Sequence, residues 1–168
     1  TPAALRAFGA ADVPLTMSQA TMWKMAYPSG YMGVKHGHNL GFYAIENLPY
    51  QLENPVAIMK SDTQPNSLVV FTEFLDERGD PVIVPIHLDK QGRIALSNEI
   101  ASAYGKEDFI DFVDRQKEKG NLLYERDEKG LSNLPASGLQ LPGVASSIDP
   151  LSDPSIAETT PEVNNSIP

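Results

Sequence analysis

The residues best suited to proton transfer near neutral pH lie in one short segment. The chain has 168 residues, of which three are histidines and none is cysteine. Two of the histidines occur in the segment Lys35-His36-Gly37-His38. Because imidazole has an ordinary pKa close to neutrality, this segment has few competitors as an acid–base site. We take His36, beside Lys35, as the first catalytic candidate; capping or packing at the start of a helix is its structural alternative.

Metal chemistry has weaker support in the sequence. His38 shares the segment with His36, and its alternative role is that of an inert, solvated turn residue. The spacing of the two histidines suits a metal site only if His87 or a distant carboxylate supplies a third ligand. Without cysteine, thiolate metal sites and disulfides are excluded. Gly-rich phosphate loops and G-x-S-x-G motifs are also absent. We expect no metal and no cofactor.

Glu73 is the second catalytic candidate. It would share one face of a predicted strand with Val69, Phe71 and Leu75, and so interrupt an apolar row. A carboxylate in such a row suits a general base, whereas an edge carboxylate in water is the structural alternative. If the hairpin register is even, His87 reaches the same face near Phe71. A slip of one residue would reverse this arrangement.

A third group of polar residues lies in the segment 98–106. Ser102, Tyr104 and Lys106 all carry donors for phosphate oxygens. A helix here would place Asn98 and Ser102 on one face, four residues apart. In the alternative interpretation Tyr104 belongs to the core and Lys106 to the solvated surface.

The N-terminal third of the chain predicts two helices. A hydroxyl at Thr16 or Ser18 can cap a helix that runs to about Lys24. Lys24 is a candidate substrate-binding cation, although its apolar context also suits a lysine that only extends its ammonium group to water. Asn39 is predicted to cap a second helix that Pro49 ends.

The middle of the chain changes to a period of two. This pattern predicts strands at residues 56–59, 68–75, 82–88 and 121–124. A turn at residues 76–80, containing Gly79, joins two of them as an antiparallel hairpin. Pro85 indicates an edge or a bulge, because proline cannot donate to a ladder.

Two further helices are predicted after this hairpin. Ser97 would cap the first, which includes Ile100 and Tyr104, and Gly120 would stop the second, over about residues 107–119. The predicted fold class is therefore α+β, with N-terminal helices followed by a curved antiparallel sheet of about four strands, interrupted by helices.

Charge and composition separate a domain from a tail. All 13 lysines and arginines lie in residues 1–130, against 18 acids, and residues 131–168 carry four acids and no base. Six prolines and no aromatic residue in 132–168 predict a linker or a disordered tail. We therefore divide the chain into a domain at 1–131 and a tail at 132–168. Since the domain itself is net negative, any contact with RNA has to be local.

The sequence contains no membrane signal. Its apolar runs are far shorter than the roughly 20 residues that cross a bilayer. A basic, apolar leader is also missing, so we expect neither membrane insertion nor Sec export. The chain begins at Thr1 without a methionine, and we expect it to be a piece of a longer polypeptide.

The order of these motifs resembles the C-terminal domain of phage MuF-type minor head proteins and of related phage polyvalent proteins. The resemblance covers about residues 4–130. Its matching pieces are Lys24 and residues 35–37, 47–49, 53–60, 67–73, 79–84, 98–105 and 120–124. No single piece is specific, but their collinear order is.

This resemblance implies a small ribonuclease fold of the barnase, EndoU, colicin and RelE class, with metal-independent RNA cleavage as a toxin or effector. For such a reaction, the chemistry of the candidate residues predicts that His36 is the general acid or base, with Glu73 as its partner. Ser102, Tyr104 and a lysine would bind the scissile phosphate, and the substrate-binding candidates are Lys24, Lys35, Asn98 and Lys106. The alternative is a non-catalytic interaction module of a virion or polyvalent protein.

The resemblance also implies where the domain acts and on what. RNA would be the substrate, the rest of a larger phage polypeptide the covalent neighbour, and an immunity protein a candidate partner. The domain would be virion-associated or delivered to the bacterial cytoplasm.

Overall fold

The computed structural model describes residues 1–92 and 95–143. In these residues an open sheet lies between two groups of helices. Its strands are β1 (Leu15–Thr16), β2 (Ala57–Lys60), β3 (Ser67–Leu75), β4 (Pro81–Gln91), β5 (Leu96–Ile100), β6 (Tyr104–Gly105), β7 (Leu122–Glu125) and β8 (Leu139–Gln140). The α-helices are α1 (Ala3–Arg6), α2 (Gln19–Ala26), α3 (Gly41–Glu53), α4 (Phe109–Glu118) and α5 (Gly130–Ser137).

The sheet is mixed rather than antiparallel. Its order is β1-β5-β4-β3-β2-β7, with β6 beside β4 and β8 beside β3. β1 pairs with β5 and β8 with β3 in parallel, and the other pairs are antiparallel. The described residues form eight strands, so the prediction of about four antiparallel strands is wrong. Three of the additional strands have only two residues, which is too short for an alternating pattern to appear in the sequence.

Alternation along the long strands explains the two helical layers. Leu68 and Val70 of β3 face the core formed with α1, α2 and α3. Val69 and Phe71 point to the opposite face, where they pack with α4 and α5. Because successive strand residues point to opposite sides, a strand buried on both faces reads as a continuous apolar run.

Several predicted local signals are confirmed. The Ser18 hydroxyl caps α2 by accepting a hydrogen bond from the Thr21 amide at 3.0 Å. Gly79 in the β3–β4 turn and Gly120 after α4 both have positive φ, at +83° and +73°. These angles favour glycine, which has no Cβ to clash.

The predicted limits of the second helix are wrong. Asn39 does not cap it; α3 begins after Leu40 and continues through Pro49 to Glu53. Proline removes one helical hydrogen bond. The buried Leu48 and Leu52 on either side pack against the sheet and hold the helix together across Pro49.

The predicted helix over residues 97–104 is also wrong, because this segment forms β5 and β6. Asn98 is completely buried and fixes β5 to the N-terminal segment. The Asn98 side-chain nitrogen Nδ2 donates to the Thr1 hydroxyl at 2.8 Å and to the Ala11 carbonyl at 3.0 Å. The Asn98 side-chain oxygen Oδ1 accepts from the Asp89 backbone amide at 3.1 Å. Tertiary hydrogen bonds thus override the local helical preference.

Pro85 lies in an internal strand, not at an edge. It pairs with Val69 of β3, and its carbonyl accepts from the Ala101 amide at 2.9 Å. Since the nitrogen and carbonyl of a strand residue point the same way, the missing N–H faces the interruption between β5 and β6.

The fold continues beyond the predicted end of the domain. The boundary at residue 131 lies inside α5. Leu134 of α5 and Leu141 after β8 are both buried, at 3% and 2% exposure. The segment 132–143 therefore belongs to the packed domain, and the rest of the predicted tail lies outside the described residues.

Candidate functional site

The backbone of the loop before α3 fixes the position of His38. The His38 amide donates to the Lys24 carbonyl at 2.8 Å, and Pro28 and His38 form an isolated β-bridge. Gly37 makes this approach possible, because a Cβ there would overlap the Tyr27 carbonyl oxygen and lie 2.6 Å from the Pro28 carbonyl carbon. The loop is thus held against the end of α2.

The interruption between β5 and β6 supplies the other side of the site. β4 pairs first with β6 and then with β5, and residues 101–103 leave the ladder between them. Ser102 lies in this break, with its hydroxyl 3.2 Å from Nε2 of His38. The rings of His38 and Tyr104 lie 5.4 Å apart at 35°.

Electrostatics keep His38 neutral near pH 7. Burial lowers the pKa of His38 from 6.5 to about 4, with further lowering by the positive charges of Lys24 and His36. Burial also raises the pKa of Tyr104, whose hydroxyl therefore stays protonated. We call this group of residues the histidine cluster; its members are His38, Ser102, Tyr104, Lys24 and His36.

The cationic members of this region have no carboxylate partner. In the described part of the chain, no ion pair or side-chain hydrogen bond involves Lys24, Lys35 or His36. Lys35 and His36 are exposed, and Lys24 is half-buried. A cleft of about 330 Å³ lies beside these cations. It is lined by Trp23, Lys24, Met32 and Lys35, together with Ala20, Gly33 and Val34.

The loop also contains unusual backbone conformations. Met32, His36 and Asn39 have φ of +44°, +55° and +51°, which side chains with a Cβ rarely adopt. Such conformations persist only where the surroundings impose them, and they concentrate at functional sites. Asn66, Asp89 and Asp108 adopt the same conformation elsewhere in the fold, so the loop is unusual only in having three such residues within eight positions.

The structure does not bring Glu73 to this cluster. Its carboxylate pairs with Arg126 at 2.7 Å, and its amide donates to Gln51 at 2.7 Å. Glu73 and Arg126 lie on a separate cleft of about 570 Å³, lined largely by α5 and the residues around it. No described hydrogen bond or ion pair joins Glu73 to His36.

The possible partnership of Glu73 with His87 does not form, although the even register does place His87 on the same face of the hairpin as Phe71. Ile83, not His87, lies opposite Phe71 in the β3–β4 hairpin. His87 pairs with Ser67, whose hydroxyl lies 2.9 Å from Nδ1. Ser67, the partner of His87, is six positions from Glu73, about 20 Å along the strand, which is too far for His87 and Glu73 to cooperate.

Two of the predicted phosphate-binding residues have structural contacts instead. Asn98 uses its amide within the buried network that holds β5. The ammonium group of Lys106 lies 4.9 Å from the centre of the Phe112 ring, as expected of a cation–π contact.

The structure distinguishes the two histidines of the loop, which the sequence alone does not. Gly37 is the sequence signal for this difference, since glycine permits a close backbone approach. That approach leaves His38 partly buried and His36 exposed.

The described residues contain no group of three or more His, Cys, Asp or Glu side chains arranged to hold a metal ion. None of the described helices has the length and apolar character needed to span a membrane.

Helices on both faces of an open, mostly antiparallel sheet, with imidazole and hydroxyl groups at a break in the ladder, define a small α+β domain with a candidate acid–base site, so the predicted α+β class is confirmed. Residues 32–132 match the family described as the phage MuF-C-terminal domain. The match spans more than half of the chain, and the chain belongs to this family. It is therefore a phage-associated domain. No curated protein and no solved structure shows significant similarity to it.

Proposed function

We propose that this domain cleaves RNA without a metal ion, by general acid–base chemistry at the histidine cluster. The observation that carries the proposal is a neutral imidazole, His38, held by Ser102 and Tyr104 beside two cationic side chains. Two imidazoles and a lysine provide the base, the acid and the charge stabilisation that such cleavage requires.

The proposed roles follow from burial and charge. His38 takes the proton of the ribose 2′-hydroxyl while O2′ attacks the phosphorus. The bond from phosphorus to O5′ breaks, and His36, which is exposed and next to Lys35, protonates the leaving oxygen. Lys24 stabilises the negative charge of the phosphorane, and Ser102 orients the His38 ring.

This assignment changes several roles predicted from the sequence. Ser102 and Tyr104 hold the His38 ring instead of binding the phosphate, and Lys106 is left out because it contacts Phe112. His38 replaces Glu73 as the base, because the Glu73 carboxylate is paired with Arg126. Asn98 is left out of the proposed site because it is buried in the N-terminal contact.

Cleavage of total tRNA and ribosomal RNA in EDTA tests the proposal. We expect His38→Ala to lower the rate at least about a hundredfold, the usual contribution of a proton-transferring group. His87→Ala is the matched control, since it removes the only histidine outside the cluster, and it should cleave at close to the wild-type rate. Unchanged cleavage by His38→Ala would remove His38 from the mechanism.

One observation favours the alternative of a non-catalytic docking module. Tyr31, Met32, Phe42 and Tyr43 are large apolar side chains with 37% to 64% exposure. Apolar groups of this size at a surface often mark a contact with another protein. Absence of cleavage by the wild-type chain would support docking over the nuclease proposal.

A further inference from the structure

The segment that forms the loop and its flanking helices differs in charge from the rest of the chain. The chain carries a net charge of −9, yet no Asp or Glu occurs between Asp12 and Glu46. We call residues 13–45 the acid-free segment. It contains two lysines, two histidines and the five aromatic residues Trp23, Tyr27, Tyr31, Phe42 and Tyr43.

The aromatic side chains of this segment form a connected group around Tyr27. The Tyr27 ring stacks on Tyr31 at 4.6 Å and 24°. It also makes edge contacts with Trp23 at 6.1 Å and with Phe42 at 5.4 Å. Trp23 and Tyr31 thus hold fixed ring orientations at a surface where both remain partly exposed.

The cleft beside these rings combines an aromatic wall with positive charge. Trp23 and Met32 supply flat and flexible apolar surface, while Lys24 and Lys35 supply two ammonium groups. Lys24 also lowers the pKa of His38, so the cleft and the histidine cluster share one cation. The side-chain amide of Asn39 donates to the Glu77 carboxylate at 2.7 Å.

We infer that this cleft is a binding subsite for single-stranded RNA. One unpaired base stacks against Trp23, and the phosphates on either side of it contact Lys24 and Lys35. Aromatic rings between lysines bind single strands of any sequence, because every base offers a stacking face. A duplex does not fit this description, since its bases are already stacked on each other. The inference rests on the proposed function through Lys24, which would carry the strand from the subsite to His38.

The chain provides its own probe for this subsite. Trp23 is the only tryptophan, so intrinsic tryptophan fluorescence reports on the cleft alone. The ligand is a short RNA oligonucleotide with 2′-O-methyl groups at every position, which cannot be cleaved through its 2′-oxygens. We expect saturable quenching by the single strand and little response to the same oligonucleotide in a duplex.

Two lysine variants separate the subsite from general attraction. Lys35→Ala should weaken binding of the oligonucleotide about threefold to fivefold, the effect of losing one exposed charge contact. Lys90→Ala changes the net charge by the same amount. Because Lys90 lies near the end of β4 that is remote from β6, this variant should bind the oligonucleotide like the wild type. Both lysines are exposed, and no hydrogen bond or ion pair among the described residues involves either side chain, so neither change should disturb the fold.

The salt dependence gives a second readout. Two phosphate contacts to a single strand predict a slope of about −1.4 for the logarithm of the binding constant against that of the salt concentration. Absence of quenching, equal quenching by the duplex, or equal weakening by the two lysine variants would each overturn the subsite. The Trp23 fluorescence could instead change through self-association without RNA and show no response to RNA. That result would overturn the subsite in favour of docking.

The subsite and the nuclease can fail separately. Quenching by the modified strand with no cleavage of ordinary RNA would support the subsite and overturn the proposed function. Cleavage that depends on His38, without any Trp23 response to the modified strand, would retain the nuclease and overturn the subsite.

Discussion

His38 combines two properties that seldom occur together in an exposed loop. Its backbone is bonded to α2, and its ring lies between a hydroxyl and an aromatic ring on the other side of the site. Because the ring is partly removed from water and faces positive charge, protonation is unfavourable in the folded state. The neutral form is the one that can accept a proton from a substrate.

This electrostatic environment predicts how His38 titrates. In NMR titrations of the three histidines, we expect the His38 ring to have a pKa near 4, and Lys24→Met to raise it, since the charge of Lys24 lowers it. Lys90→Met is the matched control and should leave the His38 titration unchanged. A His38 pKa near 6.5 in the wild-type protein would contradict the described environment.

The same pKa shift links His38 to stability. Between pH 6.5 and about 4 the unfolded chain binds a proton at His38 that the folded chain does not. His38 therefore makes the free energy of unfolding decrease as the pH falls through this window. The decrease ends near pH 4, the pKa of His38 in the folded state.

The sequence predicts which polar residues could do chemistry but not which of them lie together. The scarcity of histidine points to the loop at 35–38, whereas the contact of His38 with Ser102 and Tyr104 appears only in the structure. The choice between His36 and His38 depends on which ring the loop buries, and a one-dimensional pattern does not contain that information. Glu73 was misjudged because its partner Arg126 lies far away along the chain.

At the scale of elements, the longest strands and helices were predictable and the short ones were not. β3 and β4 carry enough alternating or continuous apolar residues to be recognised locally. β5 instead contains residues compatible with a helix, and it is a strand because it lies between β1 and β4 with Asn98 hydrogen-bonded to the N-terminal segment. Where pairing partners come from distant segments, local propensity decides little.

The segment after α5 offers a matched test of where the domain ends. Leu141 is 2% exposed and packs in the core with α1, α2 and α3, whereas Leu139 in β8 is 48% exposed. Leu141→Ala should lower the free energy of unfolding by about 2 to 5 kcal/mol, as for other buried leucines. Leu139→Ala should change it by no more than about 0.5 kcal/mol. Equal effects of the two substitutions in chemical denaturation would show that this segment is not part of the core.

The whole molecule separates its charges along the sequence. The acid-free segment forms α2, the loop and the start of α3, while the acidic residues lie in the remaining parts of the chain. A net negative protein repels nucleic acid over most of its surface. The acid-free segment has no carboxylate of its own, although the Glu77 carboxylate accepts from the Asn39 side chain, and under the proposed function it is where RNA approaches.

The two parallel pairs, β1 with β5 and β8 with β3, join both ends of the described chain to strands far away in sequence. Two backbone hydrogen bonds belong to these parallel contacts. The Asn98 amide donates to the Pro14 carbonyl, and the Leu141 amide donates to the Leu75 carbonyl. In native-state hydrogen exchange we expect these two amides to exchange faster than that of Val70 in the centre of β3. Slower exchange at Asn98 or Leu141 than at Val70 would contradict this.

The same difference between the hairpin and the terminal strands predicts the order in which they fold. The β3–β4 hairpin closes a short loop, whereas the parallel pairs close long ones and carry a larger entropic cost before any contact compensates for it. We therefore expect the hairpin to form early and the terminal strands to dock last. The contact of Ser102 with His38 also joins residues 64 positions apart, so a chain with most of its sheet formed would not yet have an assembled histidine cluster.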